Sequence, residues 1–279
     1  MIKLCPLETL PKTMPKKLIM FLSTLKRNIL IFRKEDAYEK KWRTMPIFSL
    51  PSRFGIGGFS KEAYAFVDFL AASGQSLWQI LPLGPTGYGD SPYQSFSTFA
   101  GSPYYISLDA LIEEGLLTEE ECSSVDFGSD TKRVDYEKIY HTRFDLLRKA
   151  FARANISESA EYIEFVEVNQ QWLKDYAMYM AIKDSLDGVS WITWDEDIRL
   201  RRPQAMAYYE EKLADDIAFY SYQQYLFSKQ WMALKEYANK MGICIVGDIP
   251  IYVAFDSADT WANPELFQLD EENVPIAVA

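Results

Sequence analysis

Two stretches concentrate the side chains best suited to handle a polar ligand. One is GPTGYGDSPYQS, residues 84–95. The other is DIPIYVAFDSADTWANPELF, beginning at Asp248. The first packs three Gly, two Pro, two Tyr, an Asp and three hydroxyl residues into one segment that neither a helix nor a central strand would tolerate. Its Gly and Pro fix turns, while its Tyr and Ser offer flat apolar faces and hydroxyl groups. That combination suits a pyranose ring, whose apolar face stacks on an aromatic plane while its hydroxyls seek hydrogen bonds. With 18 Tyr, 17 Phe and 7 Trp the chain is rich in such rings, although most of them must build the core.

Other chemistries are poorly supplied. The single histidine, His141, cannot build a multi-His metal site, and a Ser-His-Asp triad would need it. On a helical segment it reads as an ordinary surface or satisfied core histidine. HExxH and GxSxG are absent, and GIGG at 55–58 is a turn, not GxGxxG. Cys5, Cys122 and Cys244 are odd in number and far apart, which suggests neither a disulfide framework nor a metal knuckle and points to a reducing compartment. These residues suggest no metal site. A net charge of −11 argues against nucleic acid and anionic membranes as partners; it fits a neutral or cationic small molecule, and equally plain solubility.

The elements that must position these stretches read as α/β. Residues 45–50 predict a strand, and Ser60 caps a helix with Ala63, Phe66, Val67 and Leu70 on one face and Gly74 at its end. Residues 77–83 predict a buried strand, so strand, helix and strand form a parallel βαβ unit. A long, mostly helical tract follows. Tyr136, Tyr140, Phe144, Leu147 and Phe151 make one apolar stripe, and Tyr162, Phe165, Val166, Trp172 and Tyr176 another, both read as core. One helix is expected over 208–240, stopped by Gly242, and a strand buried on both faces over 243–252. Both chemistry-bearing stretches therefore follow strands, at the carboxyl ends where parallel α/β folds bind ligands. Residues 1–43 are basic, with apolar runs too short for a signal peptide or membrane span, and form an unassigned extension; cytoplasmic location follows. The remaining units are 44–83 (first strands and helix), 84–205 (loop and helical insertion) and 206–279 (helix, third strand and the loop after it).

SLPSRFGIGGFS, WQILPLGPTGYGDSPYQSFSTFAGSPYYISL, VDYEKIY and GDIPIYVAFDSADTWANPELFQLDE together resemble the 4-α-glucanotransferases (amylomaltases, disproportionating enzymes), in family order, over 44–279. The resemblance implies the N-terminal portion of a (β/α)8 barrel with a large, mostly helical insertion after the second strand. It implies transfer of an α-1,4-glucan segment to the 4-hydroxyl of glucose or another glucan by a retaining mechanism that needs no metal or organic cofactor, with α-1,4-glucans and maltooligosaccharides as partners. Carried over residue by residue, Tyr88 joins a glucan-contacting surface, Ser91 and Tyr93 approach the donor sugar, and Asp248 supports the site near the cleavage point. Asp90 would hold its loop through backbone N–H groups. Asp256, Asp259, Trp261 and Asn263 read as structural.

The family's nucleophile, in an RIDHF-like strand, and its acid/base Glu and stabilising Asp are not found here and are expected beyond Ala279. Three strands do not close an eight-stranded barrel, so the chain is expected to be inactive alone. The alternative is a non-catalytic α-glucan-binding fragment or one half of a split enzyme. That reading leaves residues 243–252 as an exposed apolar strand edge.

Overall fold

The computed structural model describes residues 41–276 apart from 88, 131, 251 and 252. Most of the extension read at 1–43 thus lies outside the described residues. The frame is a three-stranded parallel sheet in the order β1-β2-β3. Strand β1 is Trp42–Thr44, helix α1 is Lys61–Ala72, and β2 is Leu77–Gln79. Helices α2 (Leu108–Glu113), α3 (Glu119–Ser123), α4 (Tyr136–Arg153), α5 (Ala160–Ser185), α6 (Glu196–Arg199), α7 (Pro203–Lys212) and α8 (Ala214–Lys240) come next, then β3 (Cys244–Val246) and α9 (Ala258–Ala262). Trp42, Leu77 and Cys244 share one register position, and Arg43, Trp78 and Ile245 the next.

Helix starts follow from side chains that take up free N–H groups. Ser107, Asp135, Ser159 and Ser257 each accept an N–H from the first turn that follows, and Thr118 and Glu121 form a reciprocal capping box. Ser60 stands at the cap position of α1, but its hydroxyl bonds to Glu62 instead of the backbone. Helices α1 and α8 end where Gly74 and Gly242 adopt positive φ, letting Gln75 N–H reach Leu70 O and Ile243 N–H reach Ala238 O.

The sheet buries its central strand. Val67 and Leu70 from α1, Trp78 and Ile245 from the sheet, and Leu234 and Ala238 from α8 join one core. Each fully buried aliphatic side chain there contributes about 1.5–3 kcal/mol. A second, aromatic core gathers Tyr179, Trp191, Trp194 and Trp261 around the second half of α5. That half is buried continuously from Tyr176 to Lys183. Helix α5 lies against α8 through the edge-to-face pairs Tyr162–Tyr225 and Tyr176–Tyr220. No helix among the described residues is long and apolar enough to cross a membrane.

Several boundaries differ from the sequence reading. The first strand lies before 45–50. Pro46 has no N–H for a ladder, and Ile47–Ser49 form a 3-10 turn that drives Ile47 and Leu50 into the core. The ladder of β2 stops before Pro82 and that of β3 before Pro250, so both strands are shorter than 77–83 and 243–252; Ile251 and Tyr252 lie outside the described residues. The helix expected over 208–240 breaks at Leu213, whose φ and ψ of −111° and 23° leave helical values as its side chain turns inward. On α4 the buried face is Ile139, Arg143, Leu146, Leu147 and Ala150. Of the expected stripe there only Leu147 is fully buried, and Tyr140 is 45% exposed. Arg143 displaces the aromatics because its guanidinium donates to Ile106 O in the loop below.

Candidate active-site cleft

Residues 84–100, after β2, fold as a short hairpin. Thr86 and Ser95 form an antiparallel bridge, and Phe96 N–H donates to Pro85 O at 3.1 Å. At the tip Asp90 takes a left-handed φ of 52°, a conformation that Asp tolerates better than most residues. Its carboxylate accepts the Thr86 hydroxyl at 3.3 Å. The expected backbone N–H partners are absent among the described residues; Asp90 holds the turn through Thr86 and through its own N–H, which donates to Gly87 O. Burial pushes the Asp90 carboxyl up from its ordinary value, while the Thr86 hydroxyl acts in the opposite direction. Ser91 Oγ accepts Tyr93 N–H at 3.4 Å, so this hydroxyl serves the turn. Tyr88 lies outside the described residues.

Tyr93 and Asp248, 155 residues apart, are brought together. The Tyr93 hydroxyl donates to Asp248 Oδ2 at 2.8 Å, and Asp248 Oδ1 accepts Ile249 N–H at 2.9 Å. The hydrogen bond to the carboxylate raises the phenol's pKa, with burial a lesser cause. Tyr93 is 45% exposed, so ring and hydroxyl are open to a ligand. Asp248 lines a cleft of about 590 Å³ at the carboxyl ends of β2 and β3. Leu81, Gly84 and Ser97 line its strand side, Trp172 and Trp231 its helical side.

The two loops over this cleft are tied to each other and to the helices. Ala258 N–H donates to Phe96 O at 2.8 Å, and Thr98 N–H to Asp259 Oδ2 at 2.7 Å. Asp256 receives the Tyr179 hydroxyl at 2.7 Å, Lys183 Nζ at 2.6 Å and Trp191 N–H at 3.2 Å. Gln224, buried on α8, clamps Gly101 with Oε1 on its N–H at 2.7 Å and Nε2 on its carbonyl at 2.9 Å. Burial pushes the Asp259 carboxyl up to about 6, against the lowering effect of the Thr98 bonds.

Trp172, Lys183 and Gln224 escaped the sequence reading as site-forming residues. Trp172 was legible only as part of a core stripe. Lys183 and Gln224 carry a faint signal: each is a polar side chain inside or next to a buried helical run. His141 is exposed on α4 with its ring against Tyr140. Among the described residues no group of three or more His, Cys, Asp or Glu side chains is placed to hold a metal ion.

Residues 45–275 match the family model described as 4-alpha-glucanotransferase. The chain is 50% identical over 237 residues to a 4-alpha-glucanotransferase of Streptococcus pneumoniae, covering 84% of this chain and 47% of that protein. Against the 4-alpha-glucanotransferase of Clostridium butyricum it is 45% identical over 236 residues, covering 84% and 48%. Among solved structures, amylomaltase from Streptococcus agalactiae in complex with acarbose superposes with a TM-score of 0.82 at 42% identity, over 86% of this chain and 49% of that one. The chain thus spans about half the length of the curated relatives it matches. With the cleft at the strand ends and a family match running through both of its loops, the chain belongs to the 4-α-glucanotransferase family.

Proposed function

We propose that this chain supplies the glucan-holding wall of a 4-α-glucanotransferase. It contributes the first three strands of a (β/α)8 barrel, with 84–205 as the helical insertion after the second. The reading is carried by the hydrogen bond that joins exposed Tyr93 to Asp248 in the cleft lining, which sets a stacking ring beside a carboxylate acceptor. The Streptococcus agalactiae relative's complex with acarbose supports an α-glucan occupant. Cys122 and Cys244, both free thiols, support a reducing, cytoplasmic setting.

In the reaction, a carboxylate attacks the anomeric carbon of a glucosyl unit while a carboxylic acid protonates the departing 4-oxygen. The 4-hydroxyl of a second glucan, or of glucose, then displaces the enzyme carboxylate and returns its proton to the acid/base residue. In this proposal those two groups, and the carboxylate that stabilises the distorted sugar, lie outside residues 1–279. The part played here is binding: Tyr93 stacks on a sugar face, Asp248 accepts a sugar hydroxyl in place of the tyrosine's, Ser91 approaches the donor sugar, and Tyr88 joins the glucan-contacting set. Glucan hydroxyls are neutral, so the acidic chain incurs no repulsion.

Calorimetry with maltoheptaose tests this. The chain binds it, and Tyr93→Ala weakens binding about tenfold, the loss of one stacking ring. Binding unchanged by Tyr93→Ala would refute the reading. Incubated with maltotriose, the chain alone makes no glucose and no longer oligosaccharide; their appearance would place the cleaving carboxylates within it.

A further inference from the structure

Beside the cleft lies a second cavity, of about 240 Å³, between α5 and the segment that carries α9. It shares Ser97, Thr98, Phe99, Gln171 and Trp172 with the cleft. The Phe99 and Trp172 rings are nearly parallel, 16° between planes with centroids 6.1 Å apart, and make one aromatic wall common to both spaces. Val253 and Phe267 add apolar surface. The polar groups at its boundary include the carboxyls of Asp259, held by Thr98 N–H, and Asp175, paired with Arg201.

Size and chemistry restrict the occupant. The space is partly open to solvent, so a ligand can enter it without the protein unfolding around it. It falls below the roughly 300–1,000 Å³ of pockets that enclose drug-sized ligands, which limits it to about one ring. Asp259 and Asp175 stand in its lining, and a purely apolar ring would make no use of their carboxyls. Asp259 accepts from Thr98 and Asp175 from Arg201, which leaves lone pairs on each carboxyl, and hydroxyl groups are the neutral donors that match them. An aromatic wall on one side and carboxylate acceptors on the other describe a ring with C–H faces and an equatorial belt of O–H groups.

We propose that this cavity is an accessory subsite that takes a single glucopyranosyl ring, with Trp172 as its platform and Asp259 as its hydroxyl acceptor. Its placement beside a glucan cleft rests on the reading above; its own lining determines the class of ligand. A glucan branch or a second chain end is thereby held against the wall that the main cleft uses from its other side.

The test uses the chain labelled with 5-fluorotryptophan, with the Trp172 fluorine signal assigned through Trp172→Phe. Titration with methyl α-D-glucopyranoside shifts that signal saturably at millimolar concentration. Ala262→Leu, which fills the cavity and touches only this one of the two spaces, weakens the binding about tenfold or more. Asp259→Asn, which keeps an acceptor for Thr98 N–H, weakens it less and serves as the informative variant if Ala262→Leu does not fold. Tyr93→Ala leaves it within about twofold, below the free energy of a single contact. Absence of a saturable shift overturns the proposal. So does a shift lost in Tyr93→Ala but kept in Ala262→Leu, which would put the monosaccharide in the main cleft. Maltoheptaose calorimetry with Tyr93→Ala reads the main cleft separately, so failure of one assignment is distinguishable from failure of the other.

Discussion

Replacing Asp259 by asparagine isolates one carboxyl group whose environment is readable in energy. Burial holds this carboxyl at about 6, against an ordinary value of 3.8. The native state therefore binds the proton more tightly than the unfolded chain does, and the group's favourable contribution is complete below its unfolded value. It is lost as pH rises through about 6. The gap of about two pH units corresponds to about 3 kcal/mol, of which about 2–3 kcal/mol falls between pH 4 and 7.5. Asparagine keeps an oxygen for Thr98 N–H and has no charge to desolvate. Urea unfolding of both proteins, followed by tryptophan fluorescence at several pH values, gives the difference in stability. The wild type loses about 2–3 kcal/mol relative to Asp259→Asn on going from pH 4 to 7.5. Constant offsets from altered packing cancel in this comparison. A difference that stays flat, or that moves in favour of the wild type as pH rises, would show that the Thr98 bonds outweigh burial and would refute the reasoning.

Two further substitutions probe the ties around the cleft. Gln224→Ala strips both backbone partners from buried Gly101 and destabilises the chain by about 3 kcal/mol in urea unfolding; a loss below about 0.5 kcal/mol, within the range of a surface change, would mean that water replaces the amide. Lys183→Met leaves Asp256 facing a buried side without its cation and lowers stability by about 3 kcal/mol, and adding Asp256→Asn recovers part of that loss. A double variant no more stable than Lys183→Met would contradict this, because the penalty is attributed to the uncompensated carboxylate.

What could be read from the sequence depended on whether burial was one-sided. Helix α1 buries Ala63, Val67 and Leu70 on a single face and stops at Gly74, so period and terminator both showed in the residues. The same logic found the first half of α5 but could not read its second half, where Tyr176 to Lys183 are buried all round and leave no polar face to mark a period. It misplaced the buried face of α4, where a charged residue, Arg143, occupies the inward position and the aromatics sit beside it. Strand β1 was invisible: Trp42, Arg43 and Thr44 are all exposed and are held as a strand by hydrogen bonds to β2, not by their own pattern. The site divides similarly. The position of both loops at strand ends followed from the parallel arrangement, but the meeting of Tyr93 with Asp248 across 155 residues was suggested only through the family motif. Lys183 and Gln224 drew no reading, because a polar residue in a helix is exposed far more often than buried.

The distribution of buried and exposed bonds bears on how the cleft can exchange partners. The Tyr93–Asp248 bond is solvent-exposed, and a bond to a charged group contributes at most about 1.5–3 kcal/mol net. That is too little to hold two loops in place against the entropy of ordering them, at about 1–2 kcal/mol per residue. Their position comes instead from groups on either side of the pair: Asp256 bound to Tyr179, Lys183 and Trp191, Asp259 bound to Thr98, and Gly101 clamped by Gln224. In the proposed function Asp248 gives up the tyrosine hydroxyl for a sugar hydroxyl at little cost in loop order, since one exposed bond replaces another while the deeper ties persist. A cleft built in the reverse sense, with its ligand-facing pair also serving as its anchor, would have to loosen each time a ligand entered it.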